Sequence, residues 1–230
     1  MPGQPGFLHG LRPVHHHLPL RGARAVKAQE EVTNILLVGV GGQGIILASE
    51  ILCAAAMQSG YDVKKSEVHG MSQRGGAVNS HVRFGKKVFS PLIPAGRTHI
   101  LVAMEKLEAL RWAHHLAPGG VIVVNDFRLD PVSVSSGKAS YAGDAVERLR
   151  AADDRRVIVA DGAAGALEAG DLRTMNTLIL GVLSNCLPFA RKHWQAAIGA
   201  HVKKNMLEVN KRAFETGRSL GGCVTPLEQA

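Results

Sequence analysis

The densest polar chemistry in this sequence lies between residues 66 and 84, SEVHGMSQRGGAVNSHVRF. His69, Met71, Ser72, Gln73 and Arg74 crowd together and are closed by Gly75 and Gly76. Arginine is a rigid fork of donors suited to a carboxylate or phosphate. Paired glycines let a backbone turn sharply or come close to a ligand or partner. Val78, Ser80 and Val82 then alternate with Asn79, His81 and Arg83, the two-residue period of a strand. A core has no need of that combination, so residues 71–76 are read as a site or an interface. Arg74 is either an anion clamp or one half of a salt bridge between subunits. His69 and His81 have the side chain for acid–base work, but a histidine on a strand or loop more often satisfies structural hydrogen bonds. His99 is read as structural.

A second candidate is the turn Gly39, Val40, Gly41, Gly42, Gln43 and Gly44, which spells G-x-G-x-x-G. It sits between an apolar run and an apolar helical pattern. Such a turn offers backbone N–H groups and the positive end of a helix to an anion. Three readings stand: a dinucleotide site using Glu67 as the ribose acid, an anion or phosphate contact, and a structural tight turn.

No self-sufficient catalytic set and no metal-ligand cluster is found. The serine-elbow, HExxH and P-loop lysine motifs are missing. So is the GDG of thiamine diphosphate sites, because Asp161-Gly162 is preceded by Ala160. The three cysteines, Cys53, Cys186 and Cys223, are scattered. They argue against a disulfide framework and fall short of the four thiolates an iron–sulfur cluster takes. Cys53 and Cys186 lie on apolar helix faces and are read as small core residues.

The elements that must position these residues follow from periodicity and punctuation. A buried strand over 34–38 enters the glycine turn, and a helix over 45–59 leaves it, capped by Gly60. A strand over 61–68 leads into the 71–76 loop. Residues 76–84 and 87–90 read as a hairpin about Gly85. Strands are expected over 98–103, 121–124 (ending in Asn125-Asp126) and 157–159. Helices are expected over 105–116, 144–152, 171–187, 194–202 and 205–214, with Pro118-Gly119-Gly120 ending the first and Gly217 capping the last. The sum is a three-layer α/β/α domain on a mostly parallel, mixed sheet. If the first two strands run parallel as neighbours, the glycine turn and the 71–76 loop share the carboxyl edge, where open α/β sheets bind ligands.

Length and composition agree with one α/β domain plus tails. The chain has 230 residues, 46% of them hydrophobic, and a formal charge of +8. Residues 1–32 are read as a disordered leader, 33–217 as the domain and 218–230 as a tail. The leader carries Arg12, Arg21, Arg24 and Lys27 before its first acid, Glu30. His15, His16 and His17 in it are read as incidental rather than as a metal patch. No apolar run reaches the roughly 18–20 residues of a membrane span, so a soluble protein is expected; the cytoplasmic location expected for it is implied by the family resemblance given below. With 4% aromatic residues there is little for bases to stack on, so nucleic-acid binding is not expected.

Taken with the stretches GVGGQGIILASEIL (39–52), SPLIPAGRTHILVAMEKLEAL (90–110) and PGGVIVVND (118–126), the GMSQRGG loop and the SHVRFG strand resemble the gamma-type subunits of 2-oxoacid:ferredoxin oxidoreductases. Within them the similarity is to the small subunits of the indolepyruvate enzymes. It spans about residues 33–217. The resemblance implies the corresponding mixed α/β domain and an obligate, cofactor-free small subunit that is inactive alone. It places thiamine diphosphate and [4Fe-4S] clusters in a larger partner chain of a hetero-oligomer. The complex would convert an aryl 2-oxoacid and coenzyme A to an acyl-CoA and carbon dioxide, reducing ferredoxin. Met71, Ser72, Gln73, Arg74, Gly75 and Gly76 would then line the substrate or coenzyme A entrance or the subunit boundary. A stand-alone NAD(P) oxidoreductase is the alternative.

Overall fold

The structure, a computed structural model, describes residues 32–69, 76–130, 132–137, 140–152 and 154–221. The expected Met71, Ser72, Gln73, Arg74 and Gly75 lie outside the described residues, as do residues 1–31 of the leader with its histidine triplet, the side chain of His69, and Cys223. The chain runs β1 (Thr33–Val40), α1 (Ile45–Gln58), β2 (Asp62–His69), β3 (Ala77–Gly85), β4 (Thr98–Ala103), α2 (Lys106–Trp112), β5 (Leu116–Asn125), α3 (Val132–Ser135) and α4 (Ala145–Arg150). It continues through β6 (Arg156–Ala160), α5 (Gly162–Ala169), α6 (Met175–Ser184), α7 (Arg191–His201) and α8 (Leu207–Ser219).

One six-stranded sheet has the order β2-β3-β1-β4-β5-β6. β1, β4, β5 and β6 are parallel, and β3 runs antiparallel to both β1 and β2. The central strands are apolar on both sides because both faces are covered. Ile35 and Leu37 of β1 join a core built with α1, α6, α7 and α8. Leu36 and Val38 point the other way, into a smaller core with Ala109 of α2 and Leu149 of α4. The expected three-layer, mixed-sheet architecture is therefore the observed one.

Three expectations are corrected. Residues 87–90 form no strand; β3 pairs instead between β1 and β2, so β1 and β2 are parallel but not neighbours. The helix expected over 105–116 is α2 followed at once by a 3-10 turn over Ala113–His115, but Pro118-Gly119-Gly120 lie inside β5 rather than behind the helix. They fit there because the register jumps from Thr98↔Leu116 to Ile100↔Val121, an irregularity that absorbs the extra residues. Gly217 is inside α8, not its cap. Cys53 is buried and free, as expected, whereas Cys186 is buried and disulfide-bonded.

Candidate functional site

Parallel strands end on one side of the sheet, so β1, β4, β5 and β6 deliver their carboxyl ends to a single edge. β2 also ends there and β3 begins there. The glycine turn and the start of β3 are joined directly: the Gly41 N–H donates to the Gly76 carbonyl at 2.9 Å. Of the residues expected to form a loop site, Gly76 is thus placed beside the expected turn. α1 leaves β1 on one face of the sheet and α2 leaves β4 on the other, so the chain changes direction between β1 and β4.

That crevice is closed by side-chain amides. Gln43 N donates to Val40 O at 3.1 Å, making the turn, and its side chain then folds back over it. Gln43 Oε1 accepts the Val40 N–H at 2.8 Å, and Gln43 Nε2 donates to Met104 O just beyond β4 at 3.1 Å. Asn125, at the end of β5, donates to the same Met104 carbonyl at 3.3 Å and accepts the Gly162 N–H at 2.9 Å. Asn176, at the start of α6, donates to Gly44 O at 3.2 Å. Behind it Thr177 Oγ1 donates to Asn210 Oδ1 at 2.6 Å, and Asn210 donates to Met206 O. Glycine leaves room where these amides press on the backbone. A Cβ at Gly39 would stand 2.7 Å from Gln43 Oε1, and one at Gly162 would stand 2.5 Å from Asn125 Oδ1.

Gly44 is the N-cap of α1 in a left-handed conformation (φ 73°), and no side chain caps the helix. First-turn N–H groups have no partner within a helix. Ile46, one residue into α1, is among the exposed large apolar residues.

Acid–base groups at this edge are engaged internally. Glu105, only 1% exposed, caps α2 by accepting the Glu108 N–H at 2.9 Å. Its other oxygen accepts from the Tyr141 hydroxyl and from Leu129 N. Burial, and then that bond to Glu105, holds the Tyr141 proton well above the usual phenol range. Burial raises the Glu108 carboxyl, although Arg111 lies 2.9 Å away and pulls the other way. Lys106 pairs with Asp126 at 2.7 Å. The Cys53 thiol is pushed up to about 12, chiefly by burial, which keeps it from acting as a thiolate. Among the described residues no group of three His, Cys, Asp or Glu could hold a metal ion, and no helix is long and apolar enough to cross a membrane.

Both described histidines singled out in the sequence do structural work. His81 is buried, and its Nδ1 accepts the Ile93 N–H at 3.2 Å. His99 Nδ1 accepts the Asn34 N–H at 3.1 Å. Glu67 pairs with Lys65 at 2.6 Å on β2, the outermost strand. It is separated from β1 by β3, so it is not the next-door ribose acid that the dinucleotide reading needs. Gln43 was singled out in the sequence only as part of the glycine turn, Asn125 only as the end of a strand, and Glu105, Tyr141, Asn176 and Asn210 were not singled out for a site. Glu105 was legible as a cap three residues before Glu108, and Asn176 as a polar intrusion into an apolar helix.

Known proteins share this architecture. The family model for pyruvate ferredoxin/flavodoxin oxidoreductase matches residues 34–220. Indolepyruvate oxidoreductase subunit IorB of Thermococcus kodakarensis is 38% identical over 188 residues, covering 80% of this chain and 93% of that protein. Ketoisovalerate oxidoreductase subunit VorA of Methanothermobacter thermautotrophicus is 28% identical over 80% of this chain, yet the match takes up only 35% of that longer protein. Among solved structures, the gamma subunit of a keto/oxoacid ferredoxin oxidoreductase from Geobacter sulfurreducens superposes with a TM-score of 0.61. It is 22% identical and covers 82% of this chain and 97% of its own, which speaks to the fold.

Proposed function

The chain belongs to the pyruvate ferredoxin/flavodoxin oxidoreductase family, and from that premise we propose that it is the small subunit of a complex that oxidises an aryl 2-oxoacid such as indolepyruvate. The observation that carries this reading is the 38% identity to an indolepyruvate oxidoreductase subunit over nearly the whole of that protein. The reaction releases carbon dioxide from the oxoacid, joins the remaining acyl group to the sulfur of coenzyme A, and passes the two electrons to ferredoxin.

Thiamine diphosphate and [4Fe-4S] clusters supply carbanion stabilisation and electron transfer in such chemistry. The residues of this chain do not fit them. Its three cysteines are too few for one cluster, Cys53 is a buried thiol and Cys186 is disulfide-bonded. We therefore assign both cofactors to a larger partner chain in a hetero-oligomer and regard this chain alone as inactive. Within that assignment, Met71, Ser72, Gln73, Arg74, Gly75 and Gly76 shape the substrate or coenzyme A entrance against the partner. The uncapped first turn of α1 lies on the same edge and suits an anionic group.

The test is purification of this chain from its native cells under nitrogen, with viologen reduction assayed on indolepyruvate and coenzyme A. A brown complex with a larger chain and oxoacid-dependent reduction is expected. A colourless chain that purifies alone and changes its melting temperature with NADH or NADPH would overturn the reading. In the intact complex, Arg74→Ala is expected to lower turnover without changing the melting temperature of this chain; unchanged kinetics would remove Arg74 from the entrance.

A further inference from the structure

Between β3 and β4 the chain has neither helix nor strand, yet residues 86–97 are held at many points. The Val88 N–H donates to the Asp62 carboxylate at 2.9 Å. Arg83 Nη1 donates to the carbonyls of Ser90 and Leu92 at 2.8 and 3.1 Å. The Ile93 N–H donates to buried His81, and Asn34 Nδ2 donates to the Arg97 carbonyl at 2.8 Å. Val88 and Ile93 are buried in the body of the domain, at 2% and 5% exposure. Between those two anchors Phe89 is 79% exposed and Leu92 55%.

A floppy loop with apolar residues needs no explanation, because it can fold them away. This one is fixed at both ends and in the middle, and it holds its largest side chain in water. Exposing a phenylalanine forgoes the favourable burial of a large apolar side chain. A pre-ordered apolar anchor is what an interface uses to avoid the entropic cost of ordering on binding. The surroundings are basic. Lys64, Lys86, Lys87 and Arg97 are exposed around the loop, and the nearby acid, Asp62, accepts the Val88 N–H and pairs with Lys64 at 3.0 Å and Lys87 at 4.0 Å, so one carboxylate stands against four cations.

We propose that Phe89 and Leu92 are the apolar anchors by which this chain docks onto an acid-rimmed cleft of the larger subunit of its complex. This rests on the small-subunit reading above. The occupant follows from two observations: the basic rim calls for an acidic partner, and in the longer VorA protein a domain like this one is part of a chain nearly three times the matched length. Where the domain is a separate chain, a non-covalent surface must do what that continuity does.

The test is the complex formed from the full-length chain and the larger subunit. Affinity is measured by titration at two salt concentrations, beside a melting curve of each small-subunit variant. Wild type is expected to bind. Phe89→Ser with Leu92→Ser is expected to bind roughly 30-fold more weakly or worse with an unchanged melting temperature, as both side chains already face water. Lys87→Glu is expected to weaken binding more at low salt than at high salt. Wild-type affinity in both variants would overturn the docking surface while leaving the small-subunit reading intact. A wild-type chain that does not bind the larger subunit would overturn both. A wild-type chain that dimerises by itself, and stops doing so in the double variant, would assign the surface to a second copy and overturn the proposed occupant.

Discussion

Gly217→Ala should be among the most damaging single-methyl changes in this protein. α6 is its most enclosed helix, with Asn176, Thr177, Leu178, Ile179, Leu180, Gly181, Val182, Leu183 and Ser184 all buried. α8 crosses it at two facing glycines. A Cβ at Gly217 would lie 1.9 Å from the Leu178 carbonyl oxygen, and one at Gly181 would lie 2.2 Å from the Phe214 carbonyl oxygen. Those obstacles are helix backbone and cannot rotate away. A carbon needs more than 3 Å from an oxygen, so the helices must part by a little over 1 Å. A gap of that order forfeits a quarter to a half of the dispersion contact across an interface, here including Ala213 and Phe214, both fully buried. Overpacking of this kind costs about 1–3 kcal/mol, and the rigid obstacles put this site at the upper end. The helix preference of alanine over glycine returns roughly 1 kcal/mol. The net is about 2 kcal/mol, or a fall in melting temperature of roughly 4–8 °C for a domain of this size. Gly199→Ala is the control: it lies on the exposed side of α7 with nothing within 4 Å of an added Cβ, so the same substitution should raise the melting temperature slightly. Thermal unfolding followed by circular dichroism reads both. A Gly217→Ala protein as stable as the Gly199→Ala protein would refute the claim that backbone contact sets the α6–α8 crossing.

Gln43→Glu should keep the bond from the Val40 N–H but set a carboxylate oxygen against Met104 O, where Gln43 now donates; a loss of about 2 kcal/mol is expected at neutral pH, smaller at pH 4 where the acid can donate again, and equal melting temperatures at pH 7 would contradict it. Tyr141→Phe leaves Glu105 Oε1 with the Leu129 N–H at 3.4 Å, so a lower denaturation midpoint, worth about 2 kcal/mol, is expected in urea. His81 is held below the ordinary histidine value by burial and then by His115, and burial and then His114 do the same for His115. The unfolded chain therefore binds more protons in that window, so stability is full above about pH 6.5 and falls as the pH drops toward the folded-state values. His81→Gln should flatten the acid side of the melting temperature–pH curve, and an identical slope in variant and wild type would count against the assignment.

The strands were legible for the same reason that they are central. β1, β4 and β5 are apolar on both faces, and no surface element reads that way. What the sequence could not show was pairing. β3 has the two-residue period of any strand, and its place between β1 and β2 depends on contacts with residues 37 to 51 positions upstream, Val40↔Ala77 to Thr33↔Phe84. The expected partner at 87–90 failed because the Val88 N–H is taken by the Asp62 side chain, not by a neighbouring strand. α5, GAAGALEA, has too little contrast between its faces for a helical period to stand out. Gly217 illustrates a wider ambiguity. Punctuation at a helix end and a close helix crossing use the same residue, and the partner that distinguishes them is remote in sequence. In the site, Gln43 was visible inside the glycine motif, but its acceptor is a backbone carbonyl at Met104, which leaves no mark on residue type.

The glycine turn shows how far a motif can be carried before topology intervenes. G-x-G-x-x-G after a strand marks a dinucleotide site when the second strand lies beside the first and carries an acid. Here β3 lies between them, so the acid of β2 is two strand spacings from β1, about 10 Å rather than 5 Å. The insertion also brings the first residues of β3 against the turn, through the Gly41–Gly76 hydrogen bond. The turn is therefore wired on three sides: to β3 through Gly41, to β4 through Gln43 and to α6 through Gly44. That wiring uses the backbone and amide groups which in a dinucleotide domain approach the pyrophosphate. It leaves the uncapped start of α1 facing the edge from which the polar loop between β2 and β3 departs. The polar groups of the turn are therefore committed to joining β1, the start of β3, β4 and α6 within this chain, which is the role left to a G-x-G-x-x-G turn when an antiparallel strand separates it from the acid.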